Sequence, residues 1–331
     1  MVERRDAKRG GGSFLALRLT SLQRPENRVS FSVGICACDE AENLPHLLDV
    51  IRSEPLKSSL SISKIIIVAS GCSEQTLSHV RSVAAIDHRI SIVEESARKG
   101  KADAINKIIS LHEGQYILFV NSDALPETSS VSKLMDAILS DPDTGVVSAK
   151  PVLESSRRGL TARVEKLMWA VHNESSLILN HLHLSNHSSD EMMVVKSELL
   201  HSLPLGLVND GAYIGGSAKS RGYLVKFCDG ATVKIDVPAT LAGLVGQRRR
   251  ILYGHIQIWR LTGRSPKTVE SLLLSSPALS FKILGGLLSR NPRDALVLPI
   301  ALLTEALSAI LAIWDTLTSR RKHGVWRRYG N

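Results

Sequence analysis

An open, doubly wound α/β sheet is the fold class this sequence predicts, on three observations. Between residues 29 and 120, short apolar runs take turns with amphipathic stretches. The runs are apolar throughout, where strands with one wet face would alternate apolar with polar, so the pattern is that of parallel strands covered by helices on both faces. Each run is followed by a short loop of small, polar or charged residues, the composition of a ligand-facing sheet edge.

The elements follow in order. Residues 29–38 predict the first buried strand, and 42–53 a helix, because Leu44, Leu47, Leu48 and Ile51 recur at helical spacing. Residues 65–68 predict a second strand, 76–83 a helix, 90–93 a third short strand, 101–111 a helix and 116–120 a fourth strand. Such a βαβαβαβ series holds ligands at the carboxyl ends of its strands, where helix N-termini turn unpaired N–H groups outward. The loops at that edge are Cys38-Asp39-Glu40, Ser70-Gly71-Cys72-Ser73-Glu74, Arg98-Lys99-Gly100-Lys101 and Asn121-Ser122-Asp123. No GxGxxG follows the first strand and no GxxxxGK(S/T) occurs, which argues against a dinucleotide oxidoreductase or a P-loop enzyme. The phosphates of any bound nucleotide are then neutralised by a metal ion or by Lys and Arg.

With 331 residues, 44% of them apolar, the chain suffices for one large or two modest domains. Its net charge of +9 sits at the ends, since 1–29 and 290–331 each hold seven basic and three acidic residues. Charge carried on two tails suits an anionic membrane surface, and no nucleic-acid partner is expected. Cys36, Cys38, Cys72 and Cys228 are too few and scattered for a disulfide framework or a zinc site, so a reducing compartment is expected, with Cys36-x-Cys38 as small buried residues at a strand end. Residues 1–29 read as a disordered basic tail whose apolar patch at 14–19, interrupted by Arg18, is too short for a signal-peptide core, so no secretion is expected.

Six segments carry a resemblance when taken in order: SVGICACDEAENL, IIIVASGCSEQT, ARKGKADAIN, YILFVNSDALP, VNDGAY and QRRRI. Over 31–255, roughly two thirds of the chain, they resemble the family 2 glycosyltransferases with the GT-A nucleotide-sugar fold. The resemblance implies a GT-A-type doubly wound mixed sheet with helices on both faces, followed by C-terminal apolar helices. It divides the chain into the tail at 1–29, a catalytic domain at 30–260 (donor half 30–150, acceptor half 151–260) and membrane-associating helices with a basic tail at 261–331.

A carboxylate at a strand's end can hold a hard divalent cation against a diphosphate, and Mg²⁺ or Mn²⁺ needs few protein ligands when phosphate oxygens supply the rest. The family carries Asp-x-Asp where this chain has Asn121-Ser122-Asp123, so the resemblance makes Asp123 the metal ligand and turns Asn121 toward the donor sugar or ribose. An ordinary strand-to-loop turn is the other reading of those residues. Sugar transfer to a hydroxyl needs a base, and the resemblance assigns it to Asp210, with Asn209 in place of the family's Glu. A helix N-cap is the alternative role for Asp210.

Gln247-Arg248-Arg249-Arg250-Ile251 resembles the family's Gln-x-x-Arg-Trp element. Three consecutive guanidinium groups cannot face one way on a helix, but one or two can bind a departing diphosphate. The resemblance gives that role to Gln247 and Arg250, with Arg248 beside them, while Ile251 in place of Trp argues against processive polymer synthesis. A basic juxtamembrane helix face is a compatible second reading. On the nucleoside side the resemblance assigns Glu40, with Cys36 and Cys38 beside it, Ser70 in the altered turn Ala69-Ser70-Gly71-Cys72, and Gly100, Lys101 and Asn106. His255, eight residues after Gln247, is either a group approaching the cation or a helix-surface histidine; His181, His183 and His187 read as a mobile acceptor-side loop.

Glu305 is the sole charge in the apolar stretch 295–314, and a second apolar stretch at 269–288, with Lys282 and Gly285-Gly286 within it, precedes it. Two crossings would place Arg290 and Arg293 on the far side and Glu305 in mid-membrane at a cost of about 2.5–3.5 kcal/mol. Monotopic or re-entrant attachment at the cytoplasmic face avoids both costs; an ordinary core or dimer surface is the alternative. The expected activity is therefore an inverting, metal-dependent transfer of sugar from a nucleoside diphosphate sugar to a glycan or lipid-linked acceptor near a membrane. The rivals are a catalytically silent nucleotide-binding module acting as a membrane-bound partner subunit, supported by Asn121, Ala69, Ser70, Asn209 and Ile251, and a nucleotidyltransferase, whose Gly-rich first loop is missing.

Overall fold

A computed structural model of the chain describes residues 28–38, 40, 42–154, 158–319 and 323–325. The expected tail at 1–29 lies almost wholly outside the described residues, as do Arg320, Arg321, Lys322, Arg327 and Arg328.

Strands β1 (Val29–Ala37), β2 (Leu60–Ser70), β3 (Ile90–Glu95) and β4 (Tyr116–Asn121) pair in parallel in the order 3-2-1-4. Helices α1 (Asn43–Ser53), α2 (Glu74–Ala84) and α3 (Lys101–Leu111) connect them, as the apolar runs foretold. β2 starts well before the expected 65–68, because its first half alternates buried Leu60 and Ile62 with partly exposed Ser61 and Ser63, and a search for continuous apolar runs passes over it.

The remaining strands make the sheet mixed. β5 (Ala124–Pro126), β6 (Thr144–Leu153), β7 (Met192–Lys196) and β8 (Leu224–Ile235) complete the eight-stranded order 3-2-1-4-7-6-8-5. β7 enters antiparallel beside β4, so the chain just before β7 arrives at the edge where the parallel strands end. The bond from Asn121 N–H to the Glu191 carbonyl, at 3.0 Å, marks that junction.

Successive strand residues face opposite layers. Ile65 and Ile67 join α1 and α4 (Ser130–Leu139) in one apolar core, whereas Ile66 and Val68 join α3 and α6 (Asp210–Ser220) in the other. Gly34 of β1 lets α3 approach, since a Cβ there would stand 2.5 Å from Ile108 Cγ2.

Helices α5 (Leu160–His181), α7 (Leu241–Thr262), α8 (Val269–Ser275), α9 (Pro277–Arg290) and α10 (Leu298–Thr318) complete the described structure, with α10 packed on both α5 and α7. The apolar stretch at 269–288 is not one helix: it breaks at Ser276, and Pro277 opens α9. Among the described residues α10 alone is long and apolar enough to cross a membrane by length and composition. α10 packs on α7 through a small and polar face of Ala301, Thr304, Ser308, Ala312 and Asp315. Leu302, Leu303, Ile310, Ile313, Trp314 and Leu317 stay exposed, an inverted amphipathicity. Glu305 pairs with Arg248 of α7 at 2.6 Å.

Candidate active site

A cleft opens at the carboxyl edge of β1, β2 and β4. Parallel register sets Cys36 between Val68 and Asn121, so the ends of the three strands stand side by side. Cys36 and Cys38 from β1, Ser70 from β2, and Asn121, Ser122 and Asp123 from the turn after β4 all line it. Asn43 fixes that turn, its amide donating to the Ser122 carbonyl at 2.6 Å and to that of Ala124 at 3.4 Å. Gly100 opens α3 at φ 106°, a conformation that favours glycine, and delivers Lys101 into the cleft. Gln247 and Arg250 of α7 close the opposite wall. Burial pushes the Cys36 thiol up to about 12, against the lowering influence of Lys101, so it stays protonated.

Lys101 joins the cleft lining to the carboxylate buried next to it. Its ammonium lies 2.8 Å from Asp190 Oδ2 and 3.1 Å from Asp210 Oδ1. Asn209 is the N-cap of α6, its Oδ1 accepting from Ala212 N–H at 3.2 Å, so the capping role belongs to Asn209 and Asp210 is the first helical residue. Asp210 is 2% exposed. Burial pushes its carboxyl up to about 6; Lys101 holds it from rising further, and the charge of Asp190 adds to the rise. For Asp190 burial works upward, but Lys101 outweighs it and holds the carboxyl below the usual range. Next to it Glu191 is pushed up to about 8, by burial first and then by the charge of Asp190, and it accepts from the Ser189 hydroxyl.

Asp190 and Glu191 escaped the sequence reading. Their signal was an acidic pair directly before the apolar run MMVV, and only the insertion of β7 beside β4 turns that pair into cleft wall. Arg98, from the loop expected at the ligand edge, lines the cleft as well, and so do Trp169 and Asp236, which the sequence did not single out.

Five of the sequence-named site residues stand off the lining, and one of them is Asp210, which meets it through Lys101. Asn106 is tied up with the backbone of Leu203, donating to its carbonyl at 3.0 Å and accepting from its N–H at 2.6 Å, so it holds the loop that leads to Asp210. Glu40 is buried, and its carbonyl accepts from Leu44 N–H at 3.0 Å as α1 begins. Arg248 turns to Glu270 and Glu305, and Arg249 to Asp315, so of the three guanidinium groups only that of Arg250 belongs to the cleft. His255 ends a chain of edge-on rings, with centroids 5.1 Å apart for Trp169 and His172, 6.0 Å for His172 and His187, and 5.7 Å for His187 and His255. Burial pushes His172 and His255 down to about 3, which keeps both rings neutral.

Of the three histidines expected in an acceptor-side loop, His181 belongs to α5 and the loop begins after it. α5 runs to His181 and ends in a Schellman turn: His183 takes φ 53°, and the N–H groups of His183 and Leu184 reach the carbonyls of Asn180 and Leu179 at 3.0 and 2.9 Å. His187 then packs inward among the rings.

No group of three His, Cys, Asp or Glu side chains able to cage a metal ion exists among the described residues. The acids that line the cleft, Asp123, Asp190, Glu191 and Asp236, offer hard oxygen donors. Such a site fits a cation held by one or two carboxylates and completed by phosphate oxygens, and does not fit zinc.

This architecture is that of the GT-A glycosyltransferases. It matches the structure of the mannosyltransferase PcManGT from Pyrobaculum calidifontis, solved in complex with GDP-Man and Mn²⁺, with a TM-score of 0.63 and 20% identity over 88% of each chain. Residues 32–198 match the family model of glycosyl transferase family 2, and the chain belongs to that family: it is a glycosyltransferase that uses a nucleotide sugar. Among curated proteins there is no sequence match. Asp210, Gln247 and Arg250 lie beyond the stretch matched by the family model.

Proposed function

We propose that this enzyme moves one sugar, with inversion, from a nucleoside diphosphate sugar to a lipid-linked or membrane-proximal acceptor at the cytoplasmic face of a membrane. The observation that carries the chemistry is the buried carboxylate of Asp210, 3.1 Å from Lys101, whose side chain lines the same cleft as Asp123. Inversion is a direct displacement: the acceptor oxygen attacks the anomeric carbon, the bond to the diphosphate breaks, and the acceptor proton must leave. Asp210 takes that proton. A carboxyl titrating near 6 is ionised at neutral pH yet more basic than a free aspartate, the property a general base needs.

Gln247 and Arg250 meet the departing diphosphate, the guanidinium offering paired donors. Asp123 would hold Mg²⁺ or Mn²⁺, and the bound cation supplies neutralisation of the diphosphate charge. Cys36, Cys38, Ser70, Gly100 and Asn121 face the nucleoside and the donor sugar. The GDP-Man and Mn²⁺ bound by PcManGT support a purine nucleoside diphosphate and manganese as the first candidates.

The membrane reading rests on α10. Its apolar side faces away from α7, whereas its charged Glu305 and Asp315 are held by Arg248 and Arg249. A helix so oriented lies in the interface with its outer side in the acyl boundary, without burying a bare charge. An Asp210→Asn variant is the central test: transfer should fall by about 10²–10⁴-fold while donor binding persists. Full activity in that variant would remove Asp210 as the base.

A further inference from the structure

We propose that His323, Gly324 and Val325, carried back from the end of α10, form a working wall of the donor cleft, and that His323, Asp315 and Arg249 are positioning residues for it. The proposal builds on the reading of this cleft as the nucleotide-sugar site.

Val325 lines the same cleft as Lys101, Asn121 and Asp123. Behind it, Gly324 is wedged between two loops. Its carbonyl oxygen lies 2.5 Å from where a Cβ on Gly100 would stand. A Cβ on Gly324 itself would meet the Cα of Gly206 at 2.9 Å and its carbonyl oxygen at 3.1 Å. Backbone therefore packs on backbone at both contacts, and a methyl group at either glycine forces them apart.

Gly100 lines the cleft, and Gly206 leads to Val208 and Asn209, which line it too. Gly100 opens the helix that presents Lys101, and Gly206 sits in the loop that runs into Asn209 and Asp210. Gln257 of α7 ties down the second loop, donating to the Gly206 carbonyl and accepting from Val208 N–H, both at 3.0 Å. The strap thus bridges the donor side and the base side of one cleft.

A buried latch holds it there. His323 is 5% exposed, its Nε2 lies 2.7 Å from Asp315 Oδ2, and its ring centroid is 4.7 Å from that of Tyr253. Asp315, 2% exposed, also accepts from Arg249 Nε at 2.6 Å. A carboxylate so buried is stable only with its partners in place. Arg249 adjoins Arg250, so α7 serves the cleft with one guanidinium and the latch with the next. The latch sets the strap, the strap sets Val325, and a bound nucleotide sugar packs against Val325.

The full chain with Mn²⁺, titrated calorimetrically with GDP and with UDP, tests this. Gly324→Ala and Val325→Trp are each expected to weaken the nucleotide that the wild type binds better by about tenfold or more. His323→Ala should weaken it likewise, and His323→Gln, which keeps a donor for Asp315, should restore most of the affinity. Hydrogen exchange at 323–325 should be slow in the wild type and in His323→Gln, and fast in His323→Ala. Unchanged affinity in both Gly324→Ala and Val325→Trp, with each variant folded by circular dichroism, overturns the strap and leaves the donor site standing. A wild type that binds neither nucleotide removes both.

Discussion

Burial raises the Asp210 carboxyl, two neighbours of opposite charge adjust it, and each neighbour can be removed. If Asp210 is the base, transfer needs its ionised carboxylate, and kcat/KM should rise with pH along a limb whose midpoint is near 6. Lys101 lowers that midpoint, so Lys101→Met should shift the limb to higher pH. Asp190 raises it, so Asp190→Asn should shift the limb to lower pH. Opposite shifts in the two profiles would establish the triad as the site's proton-handling unit; profiles that coincide with wild type would dissolve it. Asp123→Ala tests the other end of the cleft: the thermal stabilisation produced by a nucleoside diphosphate with Mn²⁺ should vanish, because that gain is the binding energy itself. At this scale the sequence was most informative where a residue ends a legible strand. Asp123 closes the run YILFV and stands in the cleft, whereas Asp190, 2.8 Å from Lys101, was hidden in a Ser- and His-rich stretch with no periodicity to read.

The elements divide according to how local their causes are. α3 was expected over the residues it occupies, because its apolar positions repeat at helical spacing and Gly100 stops it at the front. Its packing depends on the gap left by Gly34, so Ile108→Ala should cost about 2–5 kcal/mol in urea unfolding, with the midpoint falling at constant slope. α7 shows the converse. QRRRI read as one basic motif, yet the helical turn sends its three arginines to Glu270 and Glu305, to Asp315, and to the cleft. Arg248→Ala strands two largely buried carboxylates and should cost about 3–5 kcal/mol of stability with nucleotide affinity little changed. Arg250→Ala should leave the unfolding midpoint near wild type and weaken the diphosphate. Paired measurements of melting and affinity on the two variants separate structural from ligand-facing arginine.

Across the whole molecule, one flank is a nucleotide-sugar sheet and the other presents an apolar helix outward. If α10 seats the enzyme on a lipid surface, a variant carrying Leu303→Glu and Ile310→Glu should lose flotation with vesicles of anionic phospholipid while keeping nucleotide affinity. Equal flotation of variant and wild type would place the apolar side against something other than lipid. The amino-acid sequence alone determined the parallel half-sheet, its ligand edge, the acidic turn at Asp123 and the candidate base Asp210. Each is written in a local pattern: an apolar run, a helical repeat, or a short motif in family order. Only the tertiary structure decided that β7 brings Asp190 to Lys101, that the arginines part company, and that His323 and Val325 fold back upon the cleft. Those features arise from contacts between segments far apart along the chain, where geometry and burial select the partner and no local spacing records the choice.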